Sequence, residues 1–271
     1  MYAMKFTVIT INLNNVDGLR RTIKSVVSQT YDDYEYVIID GGSTDGSVDI
    51  IKDYENKISY WVSENDRGIY HAMNKGVKVA RGEYLIFINS GDMLYNDTVL
   101  SNVNQQIKNE DIIIGNVLAP NTRTIISPPP LNGKLTMYHL FSGAIPHQGT
   151  FVKLALQQKH PFDETLRIAA DWKFFLQSIV FDNCSVKYIN ICVALYDTSG
   201  LSSQKPLAMR EEKERVLAMY LPQRIIDDYR YMKESECLTQ TLTPLLRTSY
   251  SIDRVTYKLA TLLLNIKRII K

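Results

Sequence analysis

Tyr84-Leu85-Ile86-Phe87-Ile88-Asn89-Ser90-Gly91-Asp92 is an apolar run that stops abruptly in polar residues and a carboxylate. Bounded by Gly82 and Gly91, the run predicts a strand buried on both faces, as in the middle of a parallel sheet. Asp92 then stands at the carboxyl end of that strand, the edge at which open α/β sheets bind ligands. An aspartate at this place has a second use as the cap of a following helix, and the strand alone does not choose between the two.

Upstream, the same pattern repeats. Phe6-Thr7-Val8-Ile9-Thr10-Ile11-Asn12 is β-branched and apolar and predicts a first strand; Leu19, Ile23, Val26 and Val27 recur at helical spacing over residues 16–28. Residues 35–39 predict a second strand, ending in Asp40-Gly41-Gly42-Ser43-Thr44-Asp45-Gly46. A helix over 44–54 follows, with Ser43 or Thr44 as its cap. A third strand at 58–62 leads through Glu64-Asn65-Asp66-Arg67-Gly68 into a helix through Met73, Val77 and Ala80. Such alternation of strand and helix predicts a parallel sheet with right-handed crossovers. Asn12, Asp40 and Asp92 end their strands with Asp66 beside them, so they converge on the edge where a nucleotide belongs. Neither G-x-G-x-x-G nor a Walker-type G-K-S/T occurs, which disfavours dinucleotide and P-loop binding.

Downstream, strands are expected at 111–117 and 123–126, a rigid connector at Pro128-Pro129-Pro130, and an adaptable loop with a short helix over 131–145. A strand at 146–152, a helix entered at Ile168-Ala169-Ala170-Asp171-Trp172 and a strand at 186–195 follow, then the turn-like Tyr196-Asp197-Thr198-Ser199-Gly200-Leu201-Ser202-Ser203. Past Pro206 the charged run Glu211-Glu212-Lys213-Glu214-Arg215 reads as a solvated helix face. Ile252, Val255, Leu259, Leu262, Leu263, Ile266 and Ile270 form an apolar stripe flanked by Arg254, Lys258, Lys267, Arg268 and Lys271. It suits an anionic membrane surface, packing on its own domain, or a second copy of the chain in a homodimer.

With 271 residues and a net charge of +2, the chain has room for a sizeable core and lacks the basic excess of a nucleic-acid binder. Its three cysteines, Cys184, Cys192 and Cys237, form no C-x-x-C pair, so neither a disulfide framework nor a zinc site is indicated. A reducing cytosol fits. The first residues lack the apolar stretch of a signal peptide, and no segment reaches the roughly 18 apolar residues of a membrane span.

Taken in order, Thr-Val-Ile-Thr-x-Asn at the first strand, Ile39-Asp40-Gly41-Gly42-Ser43-Thr44-Asp45-Gly46, Asp66-Arg67-Gly68-Ile69-Tyr70-His71-Ala72-Met73-Asn74-Lys75-Gly76 and Asn89-Ser90-Gly91-Asp92 resemble the family 2 glycosyltransferases. They are similar more narrowly to bacterial enzymes that build capsule, O-antigen and colanic acid repeat units. The resemblance covers roughly the first 200 residues and implies an α/β GT-A (Rossmann-like) fold: a mixed, mostly parallel sheet flanked by helices, with a C-terminal helical extension. It implies a glycosyltransferase domain over 1–205, divided into a nucleotide-sugar half (1–127) and an acceptor half (128–205), with the extension at 206–271.

By the same resemblance Thr10 and Asn12 line the base and ribose, and Asp40 accepts the imide N–H of uracil, a role that suits an acceptor-only carboxylate. As a residue, Asp40 has a turn former as its lesser reading. Asp66 and Asn74 help hold the nucleotide, Ser90 and Gly91 complete the donor site, and Lys75 either meets phosphate or lies on a solvated face. Met73 stands where many relatives carry arginine. Asn89-Ser90-Gly91-Asp92 occupies the place of the D-x-D motif and keeps one carboxylate, Asp92, to hold Mg²⁺ or Mn²⁺ together with diphosphate oxygens and water.

The carboxylate at the Asp171 position in related enzymes deprotonates the acceptor hydroxyl; as a residue, Asp171 also suits the first turn of a helix. His147 and Gln148 are assigned to the acceptor side, with diphosphate, metal or a hydrogen-bonded structural role equally open to His147, and Trp172 either offers a sugar its flat face or packs in the core. The 196–203 turn, similar to a Gly-Gly-x-Ser segment with Ser199 for the first glycine, is either a closing loop or a simple turn. The expected function is inverting transfer from a nucleoside diphosphate sugar, UDP-linked by preference, to a saccharide or polyprenyl-linked saccharide acceptor. Its expected place is the cytoplasm or the inner face of the cytoplasmic membrane. The alternative is a non-catalytic nucleotide-sugar or saccharide binding subunit.

Overall fold

The apolar run at 84–88 takes the buried place its composition demands: Tyr84, Leu85, Ile86 and Ile88 are at most 1% exposed. The computed structural model describes residues 4–119, 124–126, 135–198, 206–247 and 261. Strands β1 (Met4–Asn12), β2 (Tyr34–Asp40), β3 (Tyr60–Ser63) and β4 (Gly82–Phe87) are joined by helices α1 (Val16–Val27), α2 (Ser47–Asp53) and α3 (Ile69–Val79). These four strands pair in parallel in the order β3-β2-β1-β4.

The sheet continues through β8 (Thr150–Lys153), β6 (Ile112–Ala119), β9 (Val186–Leu195) and β5 (Met93–Leu94), with β7 (Thr124–Ile126) paired on β6. Because β8 is antiparallel to both β4 and β6, and β9 is parallel to β6, strands β1–β4, β6 and β9 share one direction against β5, β7 and β8. The result is the mixed, mostly parallel GT-A sheet expected from the sequence. Its direction brings the ends of β1, β2, β4 and β9, and the start of the reversed β8, to one edge.

Both faces are covered. Leu19, Ile23 and Val26 of α1 pack with Phe6, Val8, Tyr36, Ile38 and Ile86 in one apolar cluster, each such side chain contributing about 1.5–3 kcal/mol by leaving water. On the opposite face α3 approaches β1 through Gly76, where a Cβ would stand 2.6 Å from Ile9 Cγ2. A larger residue there would push the helix off the sheet.

Further helices are α4 (Val99–Gln106), α5 (Met137–Ser142), α6 (Leu154–Lys159) and α7 (Ala170–Phe175), the last running on into a wider turn at Leu176–Phe181. Then come α8 (Pro206–Tyr220) and α9 (Gln223–Arg247). The chain divides into two compact units, Met1–Val216 and Leu217–Lys271. Among the described residues no helix is long and apolar enough to cross a membrane.

Several expectations are corrected. α2 begins at Ser47, because the Ser43 hydroxyl turns to Asp40 (2.6 Å) and Asp45 takes the Ser47 N–H (3.0 Å). The strand expected at 146–152 keeps only its second half: His147–Gly149 coil into a tight turn closed by Gly149 N–H on Pro146 O (3.1 Å). The 211–215 run is not solvated throughout, since Glu212 is 5% exposed. The Pro128–Pro130 connector, the 199–203 part of the turn and, residue 261 apart, the 250–271 stretch lie outside the described residues.

Candidate active site

Parallel register sets Asn12, Asp40 and Ser63 side by side at the carboxyl ends of β1, β2 and β3. Asp40 is fully buried and binds everything around it. Its Oδ1 accepts from Asn12 Nδ2 (2.7 Å) and Ser43 Oγ (2.6 Å). Its Oδ2 accepts from Ser63 Oγ (2.6 Å), Ser43 N (2.9 Å) and Gly42 N (3.2 Å). Burial alone would raise its pKa, but these hydrogen bonds outweigh it and hold the carboxyl below its ordinary value. The turn is thereby locked, and Asn12 Oδ1 is left buried with no hydrogen-bond partner among the described residues.

Asp66 follows β3 on the same edge. Its Oδ1 meets Lys75 Nζ (2.7 Å) and His71 Nδ1 (2.9 Å), both one or two turns into α3. Its Oδ2 is buried and unpartnered among the described residues, and lies 3.4 Å from where a Cβ on Gly41 would be. Two acceptor oxygens without donors, from Asn12 and Asp66, therefore sit around the Gly41 turn.

Past β4 the chain turns sharply. Gly91 has φ +106°, its N–H bonds to Thr22 Oγ1 (3.0 Å), and a Cβ on it would stand 2.7 Å from Asp197 Oδ2. Asp92 is 4% exposed, and its Oδ1 accepts the Asp197 backbone N–H (2.8 Å). It therefore does not cap a helix. Burial pushes the Asp92 carboxyl up to about 6; the Asp197 N–H, nearby His147 and a Gln148 hydrogen bond pull it down in part, and the Asp197 carboxylate adds to the rise. Two acids thus share this corner, one at the end of β4 and one just past β9.

The facing wall comes from the turn before β8 and the start of α7. His147 Nδ1 is 3.3 Å from Asp171 Oδ2, and its Nε2 is 3.3 Å from Asn89 Nδ2. Asp171 Oδ1 accepts from its neighbour's Trp172 N–H (2.8 Å) and from Tyr70 Oη (3.3 Å). Burial, and then the Asp171 charge, push the Tyr70 phenol well above its ordinary range, so it stays a donor. Asp171 retains partial exposure, 19% of its side chain. A partly open carboxylate held by a phenol and an imidazole, opposite a buried acidic corner, can take a proton from a bound hydroxyl.

Residues 7–166 match the family described as glycosyl transferase family 2. This chain belongs to that family. An uncharacterized glycosyltransferase of Mycobacterium tuberculosis is 32% identical over 206 residues, 73% of this chain and 77% of that one. A PGL/p-HBAD biosynthesis glycosyltransferase of Mycobacterium bovis is 30% identical over 208 residues, covering 74% and 79%. In fold the chain is similar to S. aureus TarS 1-349 in complex with UDP-GlcNAc (TM-score 0.67, 18% identity, 92% of this chain and 78% of that one). It is similar also to the mannosyltransferase PcManGT from Pyrobaculum calidifontis in complex with GDP-Man and Mn²⁺ (TM-score 0.61, 16% identity, 97% and 81%).

In this glycosyltransferase Asn12, Asp66, Ser90, Gly91, Asp92, His147 and Asp171 gather on one edge. Four of the expected site residues have their side chains engaged within the protein. Thr10 is fully buried, its hydroxyl donating to Ile88 O (2.7 Å), so it lies beneath the edge. Asp40 spends both oxygens on its own turn and on its strand neighbours Asn12 and Ser63. Asn74 clamps the loop before α7, donating to Phe162 O (2.9 Å) and Glu164 Oε1 (3.1 Å) and accepting the Phe162 N–H (2.9 Å). Trp172 is 1% exposed, with its indole N–H on Leu140 O (2.7 Å) and Lys213 Nζ 4.9 Å above its ring, so no sugar can stack there. Lys75 is paired with Asp66 and Glu64 (2.9 Å) rather than free on a solvated face. Gln148 is buried and bonds Asp92, which puts it on the acidic corner.

Sequence reasoning passed over Asp197, Tyr70 and Glu212. Asp197 had a usable signal, an acid directly after a predicted strand whose direction matches β4. Tyr70 and Glu212 had none.

Proposed function

We propose that this glycosyltransferase moves a sugar from a nucleoside diphosphate, UDP by preference, to a saccharide hydroxyl with inversion at the anomeric carbon. The observation that carries the reading is the chain of contacts Asn89–His147–Asp171, which sets a partly open carboxylate opposite the end of β4. With the donor lying along the carboxyl edge, Asp171 takes the proton from the acceptor hydroxyl on the side away from the departing diphosphate, as in-line displacement needs. His147 and Tyr70 hold that carboxylate in place. Among the described residues Asn12 Oδ1 and Asp66 Oδ2 meet no donor, and ribose hydroxyls or a base N–H supply donors. The UDP-GlcNAc complex of TarS supports a UDP-linked donor.

A divalent cation fits the acidic corner. Asp92 is a buried carboxylate whose charge is poorly compensated, Asp197 brings a second, and Gln148 stands beside them. Among the described residues no three acidic, histidine or cysteine side chains gather closely enough to hold a metal by themselves. Donor oxygens and water would complete the shell, as Mg²⁺ and Mn²⁺ allow. A cation held by Asp92 and Asp197 would neutralise charge on the leaving diphosphate. The Mn²⁺ in PcManGT supports this reading.

For the acceptor we favour a lipid-linked saccharide at the inner membrane face, in cell-surface polysaccharide or glycolipid synthesis, which the PGL/p-HBAD relative supports. Residues 1–127 serve the donor and 128–205 the acceptor, except that Gln148 and Asp197 join Asp92 at the acidic corner. The test is a thermal-shift screen of UDP-, GDP- and dTDP-sugars with and without Mn²⁺, followed by NMR of the anomeric configuration of the product. Stabilisation by one nucleotide class and an inverted product are expected. A retained anomeric configuration, or no stabilisation by any nucleotide, rejects the reading.

A further inference from the structure

The geometry points to Glu212 as the residue that positions the proton-accepting carboxylate, acting from a helix far along the chain. Glu212 lies on α8, some forty residues past Asp171, and only 7% of its side chain is exposed. Its Oε1 accepts the Arg167 N–H (2.8 Å), and its Oε2 accepts those of Ile168 (2.9 Å) and Ala169 (3.0 Å). Three consecutive backbone donors on one carboxylate form a concave anion cradle, here filled by the protein's own glutamate. Those three residues are the entry to α7. Ala169, its N-cap, has no capping side chain, and Glu212 holds the N-cap's own N–H as the glutamate of a capping box does elsewhere.

Such a cap fixes more than stability. Asp171 is two residues beyond the last captured amide, on the first turn of α7; its short hydrogen bond, 2.8 Å, is from the Trp172 N–H of that same helix, and those to His147 and Tyr70 are long, 3.3 Å each. Contacts of that length define its place less tightly than the cradle fixes the backbone that bears it. The neighbouring residue adds a second tie. Lys213 Nζ donates to Gly143 O (2.7 Å) and covers Trp172, whose N–H holds Leu140 O. One turn of α8 thus grips both the entry of α7 and the end of α5. Arg215, 66% exposed and 3.8 Å from Glu212 Oε1, is too distant and too wet to be the main partner of the buried charge. The backbone amides fill that role.

This inference rests on the reading of Asp171 as the base. The test uses the full chain with Glu212→Gln, which keeps the shape and removes the charge, compared with wild type, Asp171→Asn and the double variant. Hydrogen exchange at the 167–171 amides reports the cradle without any ligand. Release of nucleoside diphosphate from the donor selected by the screen above reports turnover. In Glu212→Gln those amides should exchange at least tenfold faster, and kcat should fall tenfold or more while donor KM stays within twofold. Placed on Asp171→Asn, the substitution should cost nothing further, because both act through one group. Unchanged exchange, unchanged kcat, or a full additional loss in the double variant overturns the inference. Full activity of Asp171→Asn alone would instead remove the base assignment. If Glu212→Gln does not fold, Glu212→Asp, which keeps the charge and withdraws it by one methylene, gives the same comparison.

Discussion

His147 Nδ1 stands 3.3 Å from Asp171 Oδ2 while its Nε2 faces the Asn89 amide at the same distance. As that amide is oriented, Asn89 donates to Nε2, so the ring proton sits on Nδ1 and points at the carboxylate. The imidazole therefore joins the end of β4 to the start of α7 and holds the Asp171 carboxylate between them. Asp171→Asn should lower transfer at least 100-fold with nucleotide affinity kept within about threefold. His147→Gln should cost roughly tenfold, since the base survives and only its placement loosens. Single-turnover kinetics with a calorimetric titration of nucleotide separates the two effects. Strong transfer by Asp171→Asn would move the base elsewhere.

Asp92 and Asp197 come from positions 105 residues apart and meet at the Gly91 turn. If they hold the cation together, Asp197→Asn should raise the Mn²⁺ concentration needed for half-maximal nucleotide binding by about ten- to a hundredfold, and excess EDTA should abolish turnover. Gly91→Ala should do both harms at once. A left-handed backbone costs a non-glycine residue roughly 1–2 kcal/mol, and the new Cβ would strike Asp197 Oδ2 at 2.7 Å. Full turnover in EDTA, or metal dependence untouched by Asp197→Asn, excludes this arrangement.

What the sequence disclosed depended on how locally each feature is coded. The runs at 6–12, 35–39 and 84–88 are buried on both faces, so composition alone reveals them and the polar residues that end them. Asp92 was legible for that reason. Asp40 was legible as a strand end, but its five hydrogen bonds depend on Ser63 from β3 and Asn12 from β1, a register no single segment carries. The contacts of Asn74 and Trp172 were hidden in the same way, since each side chain holds backbone that lies far off in sequence. Glu212 is the reverse case, a charge amid charges whose three partners lie more than forty residues upstream.

The Asn74 clamp should be visible in stability. Its amide gives two hydrogen bonds and takes one, all to the 162–164 loop, and Phe162 is 5% exposed. Asn74→Ala strands a buried N–H and C=O of Phe162, at about 1–3 kcal/mol for each unsatisfied group. Urea unfolding of Asn74→Ala should show a lower midpoint at unchanged slope. Loss of nucleotide binding at full stability would instead return Asn74 to the donor site.

Asp163, in that same loop, reaches α7 through Lys173 Nζ (2.6 Å), two residues past the proposed base. Burial works against its charge, but the Lys173 ammonium and the Thr165 hydroxyl and N–H outweigh it and hold the carboxyl down to about 2. In the unfolded chain an aspartate titrates near about 3.9. Between those values the unfolded state binds more proton than the folded one, so stability rises with pH there. The contribution is fully present above about pH 4 and is lost as the pH falls through about 2. Asp40, held low by its own turn, acts with the same sign. Unfolding midpoints measured from pH 6 down to 2.5 should therefore fall below pH 4, and Asp163→Asn should flatten that fall. It should also lower the neutral-pH midpoint, because Lys173 then loses its partner. A wild-type and a variant curve of equal slope would mean that the 163–173 ion pair does not tie this loop to the helix that carries Asp171.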